Sequence, residues 1–192
     1  MPTRHTVRNI TDSAVLAALA HPLRRRLMDV LKVHGPATVG MFAERTDQAP
    51  ANVSHHLRVL GASGLIEEAP ELARDRRERW WRLATTGVRW NSADFDDDPT
   101  AQAVAQAAQA LNTDRHMSLA RAWFSADESR RREWDDSAFS TDRWLRLTPG
   151  ELREVEGQIL AVLESWGTRD IPADGQHREP VFVFAYGIPA TP

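Results

Sequence analysis

Cysteine is absent from the 192 residues, which excludes disulfides and every thiolate metal site and leaves the redox compartment open. Lysine is nearly absent too: Lys32 stands alone beside 23 arginines. No stretch approaches the roughly 20 consecutive apolar residues of a membrane span, and no early apolar run resembles a signal peptide. A soluble, cytoplasmic protein without membrane contact is expected. The signatures of common enzyme chemistry are missing as well: no glycine-rich phosphate loop, no zinc-protease histidine pair and no Gly-x-Ser-x-Gly elbow. Paired acids such as Asp135-Asp136 are what remain, and adjacent carboxylates are common on solvated segments. The sequence therefore points away from catalysis, and it names no cofactor.

The net charge of −3 conceals two unlike halves. Residues 1–90 carry 14 basic against 9 acidic side chains, an excess of +5, whereas residues 91–192 carry 10 against 18, an excess of −8. A basic amino-terminal half is compatible with nucleic acid, and the acidic half should be repelled from it.

Residues 1–10 read as a loose tail, followed by a short Ala/Leu helix over 11–20. Pro22 suits a first helical position, and Leu23, Leu27, Val30 and Leu31 keep helix spacing up to a stop at Gly35-Pro36. Thr38 is a good N-cap for a third helix ending near Thr46, and Asp47-Gln48-Ala49 turns the chain into the stretch from Pro50 to Leu65. There Val53, Leu57, Leu60 and Leu65 form one apolar stripe, with Asn52, Ser54, His55 and Arg58 on other faces. Asn pairs bidentately with adenine and Arg with guanine, while Ser and His bond to bases or phosphates, so this face suits a DNA major groove. Two short helices joined by a tight turn make a helix-turn-helix. An ordinary amphipathic surface helix would show the same stripe.

Residues 65–68 and 78–83 then read as the strands of a hairpin, with Trp81 and Leu83 on one face of the second. Its tip carries Arg74, Arg76, Arg77 and Arg79, placed to reach the DNA backbone or minor groove beside a docked helix.

The runs His21-Pro22-Leu23-Arg24-Arg25-Arg26-Leu27, Val53-Ser54-His55-His56-Leu57-Arg58-Val59-Leu60, Ser63-Gly64-Leu65-Ile66 and Arg79-Trp80-Trp81-Arg82-Leu83 together resemble the ArsR-type winged-helix transcriptional regulators. The resemblance covers about residues 9–90 and implies a homodimeric bacterial protein that binds double-stranded DNA. It implies that the third and fourth helices read DNA, that the hairpin is the wing, and that Asn52, Ser54, His55 and Arg58 face the bases. Where the family usually offers serine or threonine followed by glutamine before the reading helix, this chain has Ala49 and Pro50. Many relatives sense metals. Here the paired cysteines of one familiar site are absent, and the carboxylate–histidine spacing of another breaks off after Asp114, His116 and Asp127 at Arg130, so no metal site is expected.

The acidic half divides into a linker over 91–99 and a second domain over 100–192. An Ala/Gln-rich helix from 100, with Val104, Ala108 and Leu111 on one stripe, reads as a dimer helix, bent near 112–114. Residues 143–147 alternate like a strand, Thr148-Pro149-Gly150-Glu151 is a capping-box helix start, and 181–186 form a final strand. Trp123, Phe124, Trp134, Phe139, Trp144 and Trp166 are numerous enough to line a pocket for a small-molecule effector, though core packing is their ordinary use.

The expected fold is α+β and mainly helical: an amino-terminal winged helix-turn-helix domain over 1–90, then a carboxy-terminal helix-strand-helix-strand dimerisation or sensor unit. The expected function is a homodimeric regulator, in all expectation a repressor, reading an inverted-repeat operator. The alternative is a winged helix that contacts only proteins, without sequence-specific reading.

Overall fold

The computed structural model describes residues 7–75, 78–134 and 137–191. Two compact units emerge, Met1–Arg121 and Ala122–Pro192.

In the first unit, capping decides where each helix begins. Asp12 caps helix α1 (Ser13–Leu19), its carboxylate accepting from the Ala14 amide at 2.8 Å. His21 caps α2 (Pro22–His34) through Nδ1, which accepts from the Leu23 amide at 3.2 Å. Pro22 at the first position costs no hydrogen bond, and Gly35 ends the helix at φ +72°, a conformation open to a residue without Cβ. Arg24 and Arg25 turn back from α2 to the carbonyls left unpaired at the end of α1: Arg24 donates to Ala17 and Ala18, and Arg25 to Leu19 at 3.2 Å. The basic run at residues 24–26 is thus largely spent on joining two helices.

The expected short helices follow as α3 (Val39–Thr46), capped by Thr38, and α4 (Pro50–Ala62). The hairpin forms from β3 (Ile66–Glu68) and β4 (Trp80–Leu83), with Ile66 opposite Leu83 and Glu67 opposite Arg82. A further strand, β2 (Ala37–Thr38), pairs with the other edge of β4, giving the order β2-β4-β3. The sheet is therefore tied to the residue that caps α3.

Residues 7–9 are not a loose tail. They form β1 (Val7–Asn9), which runs parallel to β5 (Gly87–Arg89), and Ile10 beyond it is 1% exposed. Nor are residues 91–99 a free linker: a 3-10 turn over Ser92–Phe95 places Phe95 in the same core as Leu16, Leu27, Phe42 and Leu57. Asp98 then opens α5 (Pro99–Phe124), its carboxylate accepting from the Thr100 amide at 2.8 Å. The helix is continuous through 112–114. Ala101, Ala105 and Ala108 are buried against the core of their own chain, where small side chains let the helix approach closely. The first compact unit accordingly extends some thirty residues past the expected boundary at 90, because α5 packs there rather than starting a new core.

In the second unit, the expected helix start is present. Thr148 caps α7 (Pro149–Thr168), accepting from the Glu151 amide at 3.3 Å, while Glu151 accepts from the Thr148 amide at 2.7 Å. A short α6 (Glu128–Arg132) precedes it, and Arg130 is bound by Glu133 and Glu179. The expected strands over 143–147 and 181–186 do not join any ladder among the described residues. Alternation makes a strand only where a neighbour supplies a ladder of hydrogen bonds, and no such ladder forms here among the described residues. The helix-strand-helix-strand unit is thus two helices with extended connections. Asp135 and Asp136 lie outside the described residues.

Candidate nucleic-acid interface

The turn between α3 and α4 rests on one residue in an unusual conformation. Asp47 adopts φ +53°, in the left-handed region that Asp tolerates better than most residues. Its amide and that of Gln48 return to the carbonyls of Glu44 and Ala43, at 3.4 and 3.1 Å, closing α3 before Pro50 starts α4. Three residues therefore reverse the chain, and α3 and α4 pack against each other and on α2.

The helix α4 buries Val53, His56, Leu57 and Leu60. Asn52, His55 and Arg58 are exposed on the opposite side, and Ser54 is half-buried beside them. The four predicted reading residues thus lie on the outer face of one helix, and His56 sits at the core edge as expected. Asn52 Nδ2 donates to Gln48 Oε1 at 3.0 Å, and Gln48 Nε2 donates to the Asp47 carbonyl at 2.8 Å. Arg58 Nε donates to the Ser54 carbonyl at 3.3 Å, which lays the guanidinium along the helix. Gln48 is a member of this face that the sequence reading passed over. Gln48 stands in the turn before Pro50, so no helix spacing marked it, and only the fold brings it within reach of Asn52.

At the other end of α4 the chain is pinned. Arg8 of β1 donates from Nη1 to the carbonyls of Ser63 and Gly64, each at 3.0 Å. Gly64 has φ +64°, and a Cβ there would meet Arg8 Nη1 at 3.1 Å, so glycine serves both the turn and the arginine.

In the hairpin, Trp81 is buried on the core face with Leu83 beside it, as the alternation predicts. Arg79 is exposed and 3.4 Å from Glu68, and Arg82 donates to Glu67 at 2.7 Å and also to Glu71. Arg74 is exposed, its backbone amide held by Glu78 at 2.8 Å. Arg76 and Arg77 fall outside the described residues. The described wing arginines that have partners share them with acids one strand away, pairs worth about 0–1 kcal/mol when exposed. Phosphates can displace such partners at little cost.

Two alternately placed motifs, a helix pair with a short turn and a three-stranded sheet ending in a basic loop, are now in place. Residues 19–69 match the family model of a helix-turn-helix domain. The helix-turn-helix formed by α3 and α4 lies inside that matched segment. The match takes in three of the four runs on which the resemblance to ArsR-type regulators rests, and the fourth is the β4 strand of the wing. Among solved structures, the chain is similar to the homodimeric winged helix-turn-helix DNA-binding domain (fragment 1-100) Mb0332 from Mycobacterium bovis, a possible ArsR-family transcriptional regulator; the two are 24% identical, with 50% of this chain and 79% of that one covered and a TM-score of 0.33. The transcriptional regulator Tm0710 from Thermotoga maritima is 14% identical over 76% of this chain and 80% of its own, with a TM-score of 0.32. No curated protein matches the chain.

Among the described residues no group of three His, Cys, Asp or Glu side chains is placed to hold a metal ion, and no helix is long and apolar enough to cross a membrane. Of the aromatic side chains expected to line an effector pocket, Phe124, Phe139, Trp144 and Trp166 are exposed, Trp144 and Trp166 by 67% and 62%.

His21 and His56 meet behind the outer face of α4, and His55 of that face lies edge-on to His56. The rings of His21 and His56 are 4.5 Å apart, and those of His55 and His56 are 5.2 Å apart. Burial, with the charges of His21 and Arg24 acting the same way, pushes the His56 imidazole below its ordinary value. Burial and Arg24 do the same to His21. The unfolded chain therefore takes up these protons more readily than the folded one, so stability present above about pH 6.5 is lost as the pH falls below that value. The urea midpoint is expected to fall on going from about pH 7.5 to about pH 5.5, with a smaller fall in His56→Gln. A midpoint equally pH-dependent in the variant would remove His56 from the account.

Proposed function

We propose that this protein is an ArsR-type transcription regulator that binds double-stranded DNA as a homodimer, reads an inverted-repeat operator through α4 and acts as a repressor. The observation that carries the reading is the outer face of α4, where Asn52, His55 and Arg58 are exposed beside Ser54 and Gln48 on a helix whose other side is core. In a dimer, two such helices about 34 Å apart would meet successive major grooves, with Arg58 and Asn52 bonding base edges and Arg74, Arg76, Arg77 and Arg79 of the wing bonding backbone phosphates. Dimerisation finds support in the second unit, whose α7 exposes Ile159, Leu160, Val162 and Trp166, apolar surface that a monomer leaves in water. A non-metal small-molecule effector would act by favouring a dimer geometry in which the two helices no longer match the groove spacing. The chain belongs in the cytoplasm on this reading.

The test is fluorescence anisotropy of the full chain against the DNA upstream of its own gene and against a scrambled duplex, across a salt series. Sequence reading requires the native duplex to bind at least about a thousandfold tighter. Equal, weak and salt-sensitive binding to both would instead favour the second reading, a basic winged helix that contacts an acidic protein partner.

A further inference from the structure

Among the described residues, every buried apolar side chain belongs to the first unit. Yet in the second unit α7 sets Leu152, Val155, Ile159, Val162 and Trp166 at alternating steps of three and four residues, so that they fall on one line along the helix. The start of that line is covered by its own chain: a Cβ added at Gly187 would meet Leu152 Cδ1 at 2.8 Å. Further along, the line opens to water, with Ile159 39%, Val162 58% and Trp166 62% exposed. A helix about 30 Å long that carries large apolar side chains uncovered along half its length calls for a second surface.

The line is self-complementary in one direction. Laid antiparallel with Ile159 opposite the partner's Val162, α7 sets its small Val155 opposite the partner's Trp166, and the two-fold axis repeats both contacts. The flanking positions then pair Gln158 with the partner's Ser165 and Glu156 with the partner's Leu163, so no acid meets an acid. Laid parallel, the same helix stacks Trp166 on the partner's Trp166 and brings Glu151 beside the partner's Glu156, like charges on both sides of the seam. Charge favours the antiparallel arrangement for a second reason. Acids gather at the start of α7, where Glu151, Glu154 and Glu156 outnumber Arg153, and opposed helices keep two such starts apart while their dipoles attract.

We propose that α7 docks on α7 of a second copy of this chain, antiparallel about a two-fold axis at the level of Leu160 and Ala161, with Val155, Ile159, Val162 and Trp166 as the seam. The inference rests on the homodimer reading and adds to it the surface, the direction and the register. Leu152 stays with its own chain, packed by Gly187, and so marks where the seam ends.

Light scattering of the full chain, without DNA, is expected to give twice the chain mass. Val162→Glu puts two like charges into the seam, one from each copy, and should raise the dimer dissociation constant by at least about a hundredfold. Direction is read with cysteine pairs, since the chain has no cysteine of its own. Gln158 and Ser165 are exposed and lie about 10 Å apart along one helix, too far for a disulfide within a chain. The double variant Gln158→Cys with Ser165→Cys should oxidise to a covalent dimer, and either substitution alone should not. This pair leaves the apolar seam untouched, so it decides the matter alone if Val162→Glu disturbs the helix. No cross-link in the double variant, or equal cross-linking in a single one, would overturn the antiparallel seam. A dimer left intact by Val162→Glu would overturn the α7 contact while sparing the homodimer, whereas a monomeric wild type would sink both.

Discussion

Phe42→Ala is expected to destabilise the first unit by about 3–5 kcal/mol, the usual range for deleting a buried phenyl ring and leaving a cavity. Phe42 is fully buried in α3 and shares a core with Leu27, Val53 and Leu57, so it touches the elements that set the angle between the two helices of the reading pair. Domains of this size are stable by about 5–15 kcal/mol, so one substitution removes about a fifth or more of the total. The thermal midpoint followed by circular dichroism should drop by roughly 10–20 °C. Phe42→Leu, which keeps most of the volume, should cost under half as much. A loss below about 1 kcal/mol in the alanine variant would mean that the ring is not enclosed. Thr46 makes the ring's position more exacting, because its Oγ1 donates to the Phe42 carbonyl at 2.6 Å within the same turn of helix.

Arg58→Ala and Arg79→Ala are expected to separate reading from holding. Arg58 lies along the outer face of α4, where a bidentate contact to guanine discriminates by about 1–3 kcal/mol, or roughly 5- to 150-fold. Its removal should narrow the gap between native and scrambled duplexes by that factor. Arg79 sits in the wing beside Glu68. Its removal should weaken binding to both duplexes about equally and lower the slope of log affinity against log salt by about one. The exposed pair with Glu68 costs little to open, so the arginine can exchange that acid for a phosphate. Should Arg58→Ala weaken both duplexes alike, α4 would be holding backbone and the reading would have to move to another element.

Much of the first unit was legible because its signals are local. Pro22, Gly35 and Thr38 mark helix ends by their own backbone chemistry, and Val53, Leu57 and Leu60 declare a buried face by spacing alone. The reading face followed from the same spacing, since residues between buried positions must point outward. The parallel pairing of Val7–Asn9 with Gly87–Arg89 was not legible: its partners are eighty residues apart and each strand is three residues long. Phe95 was hidden by its surroundings, one ring in an acidic stretch that reads as solvated although the ring is 4% exposed. The segments 143–147 and 181–186 misled in the opposite direction. Their alternation is real, but a strand is a relation between two segments, and neither joins a sheet among the described residues. The acids that pair with Arg79 and Arg82 were likewise invisible until the hairpin register placed Glu67 across from Arg82 and brought Glu68 within reach of Arg79.

The two ends of α4 are secured unequally. Its carboxy-terminal carbonyls are held by Arg8, reaching in from a strand fifty-five residues earlier, while its first turn begins at Ala49, which offers no side-chain cap, and at Pro50, which has no amide hydrogen. Deuterium should therefore enter the amides of this helix from the Asn52 end and reach the Leu60 end last. The same asymmetry is expected to leave α4 ordered where it joins the core and loosest at its first turn, so a ligand that engaged Asn52 would bear the entropy of fixing a single turn and not the whole helix.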